Sequence, residues 1–315
     1  MTIHDRTDHD TERDRLALIA GLHAPQASIA PKYFYDALGC ALFSAICELD
    51  EYYPTRTERA IFERHRGEIA RIVGKGVQFV DLGAGDGIKA EQWFGILSPC
   101  RYVAVDFAAP AVTLVLDRLQ VRYPQLETVG VLADFTRGLA FDADLLPVPT
   151  LFFYPGSSIG NFAPGEALRF LRSVHDQCTK RTGSALLIGV DTKKAEARLH
   201  AAYDDALGVT AAFNRNILRH VNAIIGSDFD VRRFAHVAFY DATAARIEMH
   251  LEARAHQDVV IGGRARSFAP GERIATEHSY KYAPDEFDRL LRSAGFATVT
   301  NWQDDAGAFA VFCAS

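Results

Sequence analysis

The sequence predicts an α/β protein. A mostly parallel sheet wrapped by helices ends in an antiparallel hairpin, and a second lobe is built from two separate segments. Three observations predict it. Short apolar runs alternate with helical stretches, the last two strands are joined by a very short turn, and the pattern changes between Lys193 and Ser279. Composition fits: 315 residues, 49% hydrophobic and 23% charged, suffice for a large core. The 34 Lys+Arg against 40 Asp+Glu leave a net charge of −6, which argues against a protein whose main partner is nucleic acid or an anionic membrane surface.

Residues 1–14 are polar and read as a disordered tail. Residues 15–56 and 194–281 form the second lobe, and 57–193 with 282–315 form the sheet domain. Within the latter, Val77–Leu82, Tyr102–Val105, Thr128–Leu132, Thr150–Tyr154 and Ala185–Val190 are compact apolar runs with helices between them, as in parallel strands buried on both faces. A long helical region spans about Ala195 to Ile225, before antiparallel-looking strands at Val237–Tyr240 and Ile247–Ala253, with Val259–Ile261 part of another. Pro284 and three nearby acids open a helix that Gly295 caps. Strands Ala297–Trp302 and Ala308–Cys313 follow, and the turn Asp304–Gly307 forces them antiparallel. This order resembles the class I methyltransferase sheet, a Rossmann-like arrangement.

Five cysteines are scattered without a C-x-x-C pair, which predicts reduced thiols. Eleven histidines show no metal-ligand spacing, so no metal is expected. No run approaches the roughly 18 apolar residues of a membrane span, and the N-terminus has no apolar signal segment. A cytoplasmic protein is the expectation.

Val80-Asp81-Leu82-Gly83-Ala84-Gly85-Asp86-Gly87 follows the first run and opens a helix. Glycines there let the backbone turn tightly under a ligand. Asp106 ends the second run, where an acid accepts ribose hydroxyls, and Asp134-Phe135 follow the third, at the place for an adenine edge and face. NAD and S-adenosylmethionine both fit such a site. The C-terminal hairpin and the G-x-G-x-G spacing favour the latter, and Asp81 suits an ammonium better than a pyrophosphate.

Gly156-Ser157-Ser158-Ile159-Gly160 matches the G-x-S-x-G elbow of serine esterases. Against that, Ile159–Pro164 reads as a loop that delays the helix an elbow needs, and the glycine turn at Gly83 would have no task. A non-catalytic nucleotide-binding regulator is the third class, separated from an enzyme by methyl transfer from labelled cofactor.

Several segments resemble one family: Pro31–Asp36, Glu51–Glu58, Gly156–Asn161, Tyr203–Ala206, Gly208–Asn216, Arg246–Met249 and Glu277–Ser279. Together they resemble the L-histidine Nα-methyltransferases of ergothioneine biosynthesis. The resemblance implies transfer of three methyl groups from S-adenosylmethionine to the α-amine of histidine, giving hercynine. Another amino acid or small amine is the alternative acceptor. Gly83, Lys89, Asp106, Asp134 and Phe135 match the family's cofactor positions. Tyr52, Asn161, Tyr203, Thr210, Met249, Glu277 and Ser279 match its histidine pocket, with Tyr35 and Gly156 near the amine. The chain departs from the pattern at Asp86-Gly87-Ile88, and His278 is expected to point away from substrate. The implied partner is a small molecule, with no nucleic acid or membrane, acting on a monomer.

The chemistry is consistent with that set. An α-amine with a pKa of about 8 must lose a proton before each transfer, and Tyr35 with a water is a candidate relay. Tyr203 and Asn161 offer an O–H and an amide N–H to a carboxylate. The alternating Glu277-x-Ser279 puts both side chains on one strand face, where they suit the two imidazole nitrogens. The plain alternative for Glu277 is an ion pair with Lys281 or Arg273.

Overall fold

The computed structural model describes residues 2–6, 11–135, 138–139 and 141–315. Strand β1 (Thr2–Asp5) leads to helix α1 (Thr11–His23), strand β2 (Ala27–Ser28) and helices α2 (Ala37–Cys47) and α3 (Tyr53–Val73). An alternating stretch follows: β3 (Gln78–Leu82), α4 (Ile88–Glu91), α5 (Phe94–Leu97), β4 (Arg101–Asp106), α6 (Ala109–Arg122), β5 (Glu127–Leu132), β6 (Thr150–Tyr154), α7 (Pro164–Thr179) and β7 (Ala185–Asp191). Helices α8 (Glu196–Tyr203) and α9 (Val209–Ile225) precede β8 (Phe234–Asp241), β9 (Arg246–Ala253), β10 (Gln257–Ile261), β11 (Arg264–Phe268) and β12 (Arg273–Tyr280). Helix α10 (Pro284–Ala294), β13 (Val299–Gln303) and β14 (Phe309–Ala314) complete the order. Two compact units result: Arg56–Lys193 and Tyr282–Ser315 with β1, and Lys194–Lys281 with the segment ending at Thr55.

The first unit carries a sheet of order β1-β5-β4-β3-β6-β7-β14-β13. Its strands all run the same way except β14, which is antiparallel to β7 and to β13 and forms the hairpin with β13. Strands β3, β6, β7 and β14 are buried at every residue, as cover on both faces requires. Helix α6 buries Val112, Val115, Leu116 and Leu119, one helical stripe, onto the sheet. It sits close because β5 carries Gly130, where a Cβ would lie 2.5 Å from Val112 Cγ1. Gly295 caps α10 at φ +118, as its position predicts. Chain order reverses at β3, with β4 on one side and β6 on the other, so the carboxyl end of β3 is the crevice where open α/β sheets take ligands.

The second unit has a four-stranded sheet, β2-β12-β9-β8, and a separate β10–β11 hairpin. Helix α9 buries Phe213, Ile217, Leu218, Val221 and Ile225 in a core with Phe34, Met249 and Leu251. Here the structure corrects the sequence reading. The region from Ala195 to Ile225 is two helices, because the Asp205 carboxylate accepts the N–H groups of Val209 (2.9 Å) and Thr210 (2.7 Å) and starts α9 anew. Burial alone would raise the Asp205 pKa, but those N–H donors hold it below its ordinary value.

A second correction concerns the N-terminus. Residues 2–5, read as disordered tail, form β1 and pair in parallel with Val129–Leu132 of β5, while Ile3 packs on the core. Residues 7–10 of that tail lie outside the described residues. No helix among the described residues is long and apolar enough to cross a membrane.

Candidate active site

The glycine turn at the end of β3 is a backbone construction. Gly83, Gly85 and Gly87 take φ +73, +53 and +67, which side chains disfavour. The N–H groups of Gly83 and Ala84 donate to Val105 O at 2.8 and 3.1 Å, tying the turn to β4. Gly83 and Gly85 stay exposed on either side of the buried Ala84, and the nearest atom to a Cβ built on Gly83 is Phe135 Cζ, at 3.6 Å. That leaves open backbone facing an aromatic ring, a surface suited to a nucleoside.

Asp106 does more than the sequence implies. Its Oδ2 accepts Gly85 N–H and its Oδ1 accepts Ala108 N–H, both at 3.0 Å, so the carboxylate braces the turn and keeps lone pairs for ribose hydroxyls. Burial raises its pKa, opposed by the amides of Ala108, Gly85 and Phe107. Beneath it, Asp81 is 2% exposed and accepts the Tyr102 hydroxyl at 2.9 Å. Burial pushes this carboxyl up to about 8, against the Tyr102 bond and with Asp106 and Asp86 adding to the rise. Phe135 is buried, edge-on to Tyr154 with ring centroids 5.8 Å apart, and Asp134 beside it is half-buried.

Lys89 and Gly156, expected in different roles, meet through a residue the sequence reading passed over. Glu58 of α3 takes Lys89 Nζ on Oε2 and Gly156 N–H on Oε1, each at 2.7 Å. Glu58 is 1% exposed. Its carboxylate fits because β7 offers Gly189, where a Cβ would lie 1.9 Å from Oε1. An acid three and four residues before the buried Ile61 and Phe62, on their helix stripe, is the signal that could have found it.

The esterase reading fails here. Ser158 starts a one-turn 3₁₀ helix ending at Asn161, and α7 begins only at Pro164. The Ser158 hydroxyl bonds Pro155 O at 3.3 Å, and Ser157 Oγ accepts Asp191 N–H at 2.8 Å. Asn161 is half-buried at the end of that turn.

In the second unit an aromatic cluster gathers Tyr35, Tyr52 and Tyr203. Tyr52 lies edge-on to Tyr203 at 6.4 Å and to Phe43 at 6.2 Å, and Tyr35 packs on Phe43 and Phe213. Burial, with Tyr203, Cys47, Tyr35 and Glu277 adding to it, holds the Tyr52 phenol well above its ordinary pKa, so it stays an O–H donor. Strands β12 and β9 put Glu277 directly opposite Met249. Ser279 is buried and its Oγ lies 2.8 Å from the Tyr203 hydroxyl. His278, between them in sequence, faces the other side, 3.9 Å from Glu248. Thr210 is buried in the first turn of α9. Of the two basic residues considered beside Glu277, Arg273 pairs with Glu252 at 2.8 Å, and Lys281 is 2% exposed and donates to Ser279 and Tyr203. Lys281 was read only as an alternative ion-pair partner for Glu277, although it continues the alternation of Glu277 and Ser279.

Tyr203 is also fixed through its backbone. His236 Nδ1 faces Asn214 Nδ2 at 2.8 Å, while Asn214 Oδ1 accepts the Thr276 hydroxyl. The ring is therefore the neutral tautomer with its proton on Nε2, which donates to Tyr203 O at 2.9 Å. Burial lowers the His236 pKa, in keeping with that form. Among the described residues no group of three His, Cys, Asp or Glu is placed to hold a metal ion.

Residues 13–315 match the family described as histidine-specific methyltransferase, SAM-dependent. The chain is 37% identical over 312 residues to a histidine N-alpha-methyltransferase of Mycolicibacterium smegmatis, covering 96% of this chain and 94% of that one. It is 36% identical to the histidine N-alpha-methyltransferase of Mycobacterium tuberculosis, with the same coverage. It is 30% identical to ergothioneine biosynthesis protein 1 of Neurospora crassa over 85% of this chain and 31% of that larger protein. The chain belongs to the histidine-specific, S-adenosylmethionine-dependent methyltransferases.

Proposed function

We propose that this protein transfers three methyl groups to the α-amine of L-histidine, giving hercynine for ergothioneine biosynthesis. The first unit holds S-adenosylmethionine through Gly83, Lys89, Asp106, Asp134 and Phe135, and the second holds the imidazole end of histidine. S-adenosylmethionine, when bound, supplies a methyl group already activated by its sulfonium. What remains for the protein is to align a neutral amine and dispose of its proton. Tyr35, with a water, is the group assigned to carry that proton from the amine near Gly156. It acts before each transfer, since the protonated amine has no lone pair to give. Asn161 and Tyr203 present donors to the carboxylate, and Tyr52 and Thr210 line the acceptor pocket.

The observation that carries the acceptor's identity is the cross-strand pair of Glu277 and Met249 with Ser279 two residues on. A carboxylate accepts an imidazole N–H, a hydroxyl meets the other nitrogen, and a thioether packs the ring face. Removing a charged partner of a hydrogen bond costs about 1.5–3 kcal/mol, or roughly 10- to 150-fold in affinity. Glu277→Ala should therefore cut kcat/KM for histidine by about 10²-fold and leave S-adenosylmethionine affinity unchanged. Combined with Met249→Val it should admit tryptophan. Competition assays with histidine, phenylalanine and tryptophan test this, and equal discrimination by wild type and both variants contradicts it.

A further inference from the structure

Strand β12 does not alternate regularly along its length. Ile274 and Ala275 pair with Leu251 and His250 of β9, yet the next pairs are Glu277 with Met249 and Ser279 with Ile247. Thr276 is therefore a surplus residue outside the ladder, a β-bulge. Ile274, Leu251 and Met249 belong to the core that α9 covers. In a regular strand Thr276 and His278 would share the Ile274 face, and Glu277 and Ser279 would point to the opposite side. The surplus residue shifts the alternation by one, which puts Glu277 and Ser279 on the face of Met249 and His278 on the other. Asn214 of α9 is fully buried, and Thr276 is 1% exposed. The Asn214 carboxamide is engaged at this corner: Oδ1 accepts the Thr276 hydroxyl at 2.7 Å, and Nδ2 donates to His250 O at 3.0 Å and to His236 Nδ1 at 2.8 Å. Met249 O, at 3.0 Å, is a second acceptor within reach of that hydroxyl.

We infer that Asn214 and Thr276 are positioning residues for acceptor specificity: their hydrogen bond holds the bulge, and the bulge aims Glu277 and Ser279 at the ring of the acceptor. A bulge disrupts the ladder and leaves its surplus residue unpaired, so other bonds must offset the loss. Here the side chain of the surplus residue is bonded to α9 and, through the same carboxamide, to β9 at His250 O and to β8 at His236. The inference rests on the reading of Glu277 and Ser279 as the imidazole end of the histidine pocket. Without the bond the strand can slip toward the regular register, in which Thr276 faces Met249 and Glu277 turns to the other side. Asn214 and Thr276 act through the placement of Glu277 and Ser279 and need no contact with substrate.

The test uses Thr276→Val, which keeps the branched shape and removes the hydroxyl. Histidine and phenylalanine differ only in the ring, so the ratio of their Kd values reads the placement of Glu277 apart from general damage. The preference for histidine should fall about tenfold, with S-adenosylmethionine affinity unchanged in calorimetry. Thr276→Ser, which keeps the hydroxyl, should stay near wild type. In double-mutant cycles on the histidine Kd, the loss from Thr276→Val should overlap with those from Asn214→Ala and from Glu277→Ala rather than add. An unchanged preference in Thr276→Val, an equal fall in Thr276→Ser, or additive losses in either cycle overturns the inference and leaves the proposed reaction standing. Should Thr276→Val lose S-adenosylmethionine binding, Thr276→Ala carries the test, and an unchanged preference there overturns it. If Glu277→Ala prefers histidine as strongly as wild type does, the reading of Glu277 as the partner of the ring falls, and the inference falls with it.

Discussion

Asp81 and Gly83 stand two residues apart and carry opposite demands. Gly83 must lie open, and the Asp81 carboxyl must sit in the apolar floor beneath the turn, where burial lifts its pKa to about 8. The folded state thus holds this proton more tightly than the unfolded chain, whose carboxyl titrates near 4. Its contribution to stability is present at low pH and is lost as pH rises from about 4 to about 8. A cationic ligand in the crevice favours the carboxylate and expels the proton. Binding of S-adenosylmethionine at pH 7 should therefore release protons, seen by calorimetry as an apparent enthalpy that depends on the buffer's ionisation heat. Asp81→Asn should abolish that dependence, and an unchanged dependence would show that Asp81 does not titrate with the ligand. At this scale the glycine turn and the acid at the next strand end were legible as local features, because a run of glycines after a strand dictates a tight turn. Glu58 and Lys281 were given no site role, since their value comes from what they touch across the fold. Only their placement on a buried helix stripe and on an alternating strand face hinted at it.

Helix α3 and strand β7 show how an element is shaped by one side chain. Gly189 gives up its side chain so that the Glu58 carboxylate can reach Lys89 and Gly156. Gly189→Ala should destabilise the protein by about 1–3 kcal/mol through overpacking, read as a lower thermal midpoint. Adding Glu58→Ala should then cost less than it does alone, because the clash is gone. Additive losses would show that the two do not share the space. Elements buried on both faces were the most legible: β3, β6 and β7 are short, mostly apolar runs buried at every residue. Strand β11, Arg-Ala-Arg-Ser-Phe, was missed because four of its five residues are at least partly exposed. Its signal was the Gly262-Gly263 turn, with φ +58 and +82, which pairs it to β10. Strand β1 gave no signal, since four residues with one apolar side chain fit a tail as well as an edge strand.

At the scale of the whole molecule, the proposed reaction assigns S-adenosylmethionine to the parallel sheet with its glycine crevice and the imidazole end of histidine to the antiparallel sheet with its aromatic and polar cluster. The fold class was readable because alternation and hairpin spacing are local, and the discontinuous second unit because its strands break that alternation. The substitutions test that assignment: changes at Asp81 or Asp106 should move S-adenosylmethionine affinity, and changes at Glu277 should move histidine affinity alone. Asp106→Ala in particular should weaken S-adenosylmethionine by about 1.5–3 kcal/mol, and unchanged affinity in calorimetry would remove it as the ribose ligand. The most direct measurement is tandem mass spectrometry of histidine incubated with the protein and S-adenosylmethionine. Successive addition of one, two and three methyl groups, with fragments placing all three on the α-nitrogen, is the predicted result; no methylated histidine, or methyl groups on the imidazole, would contradict it.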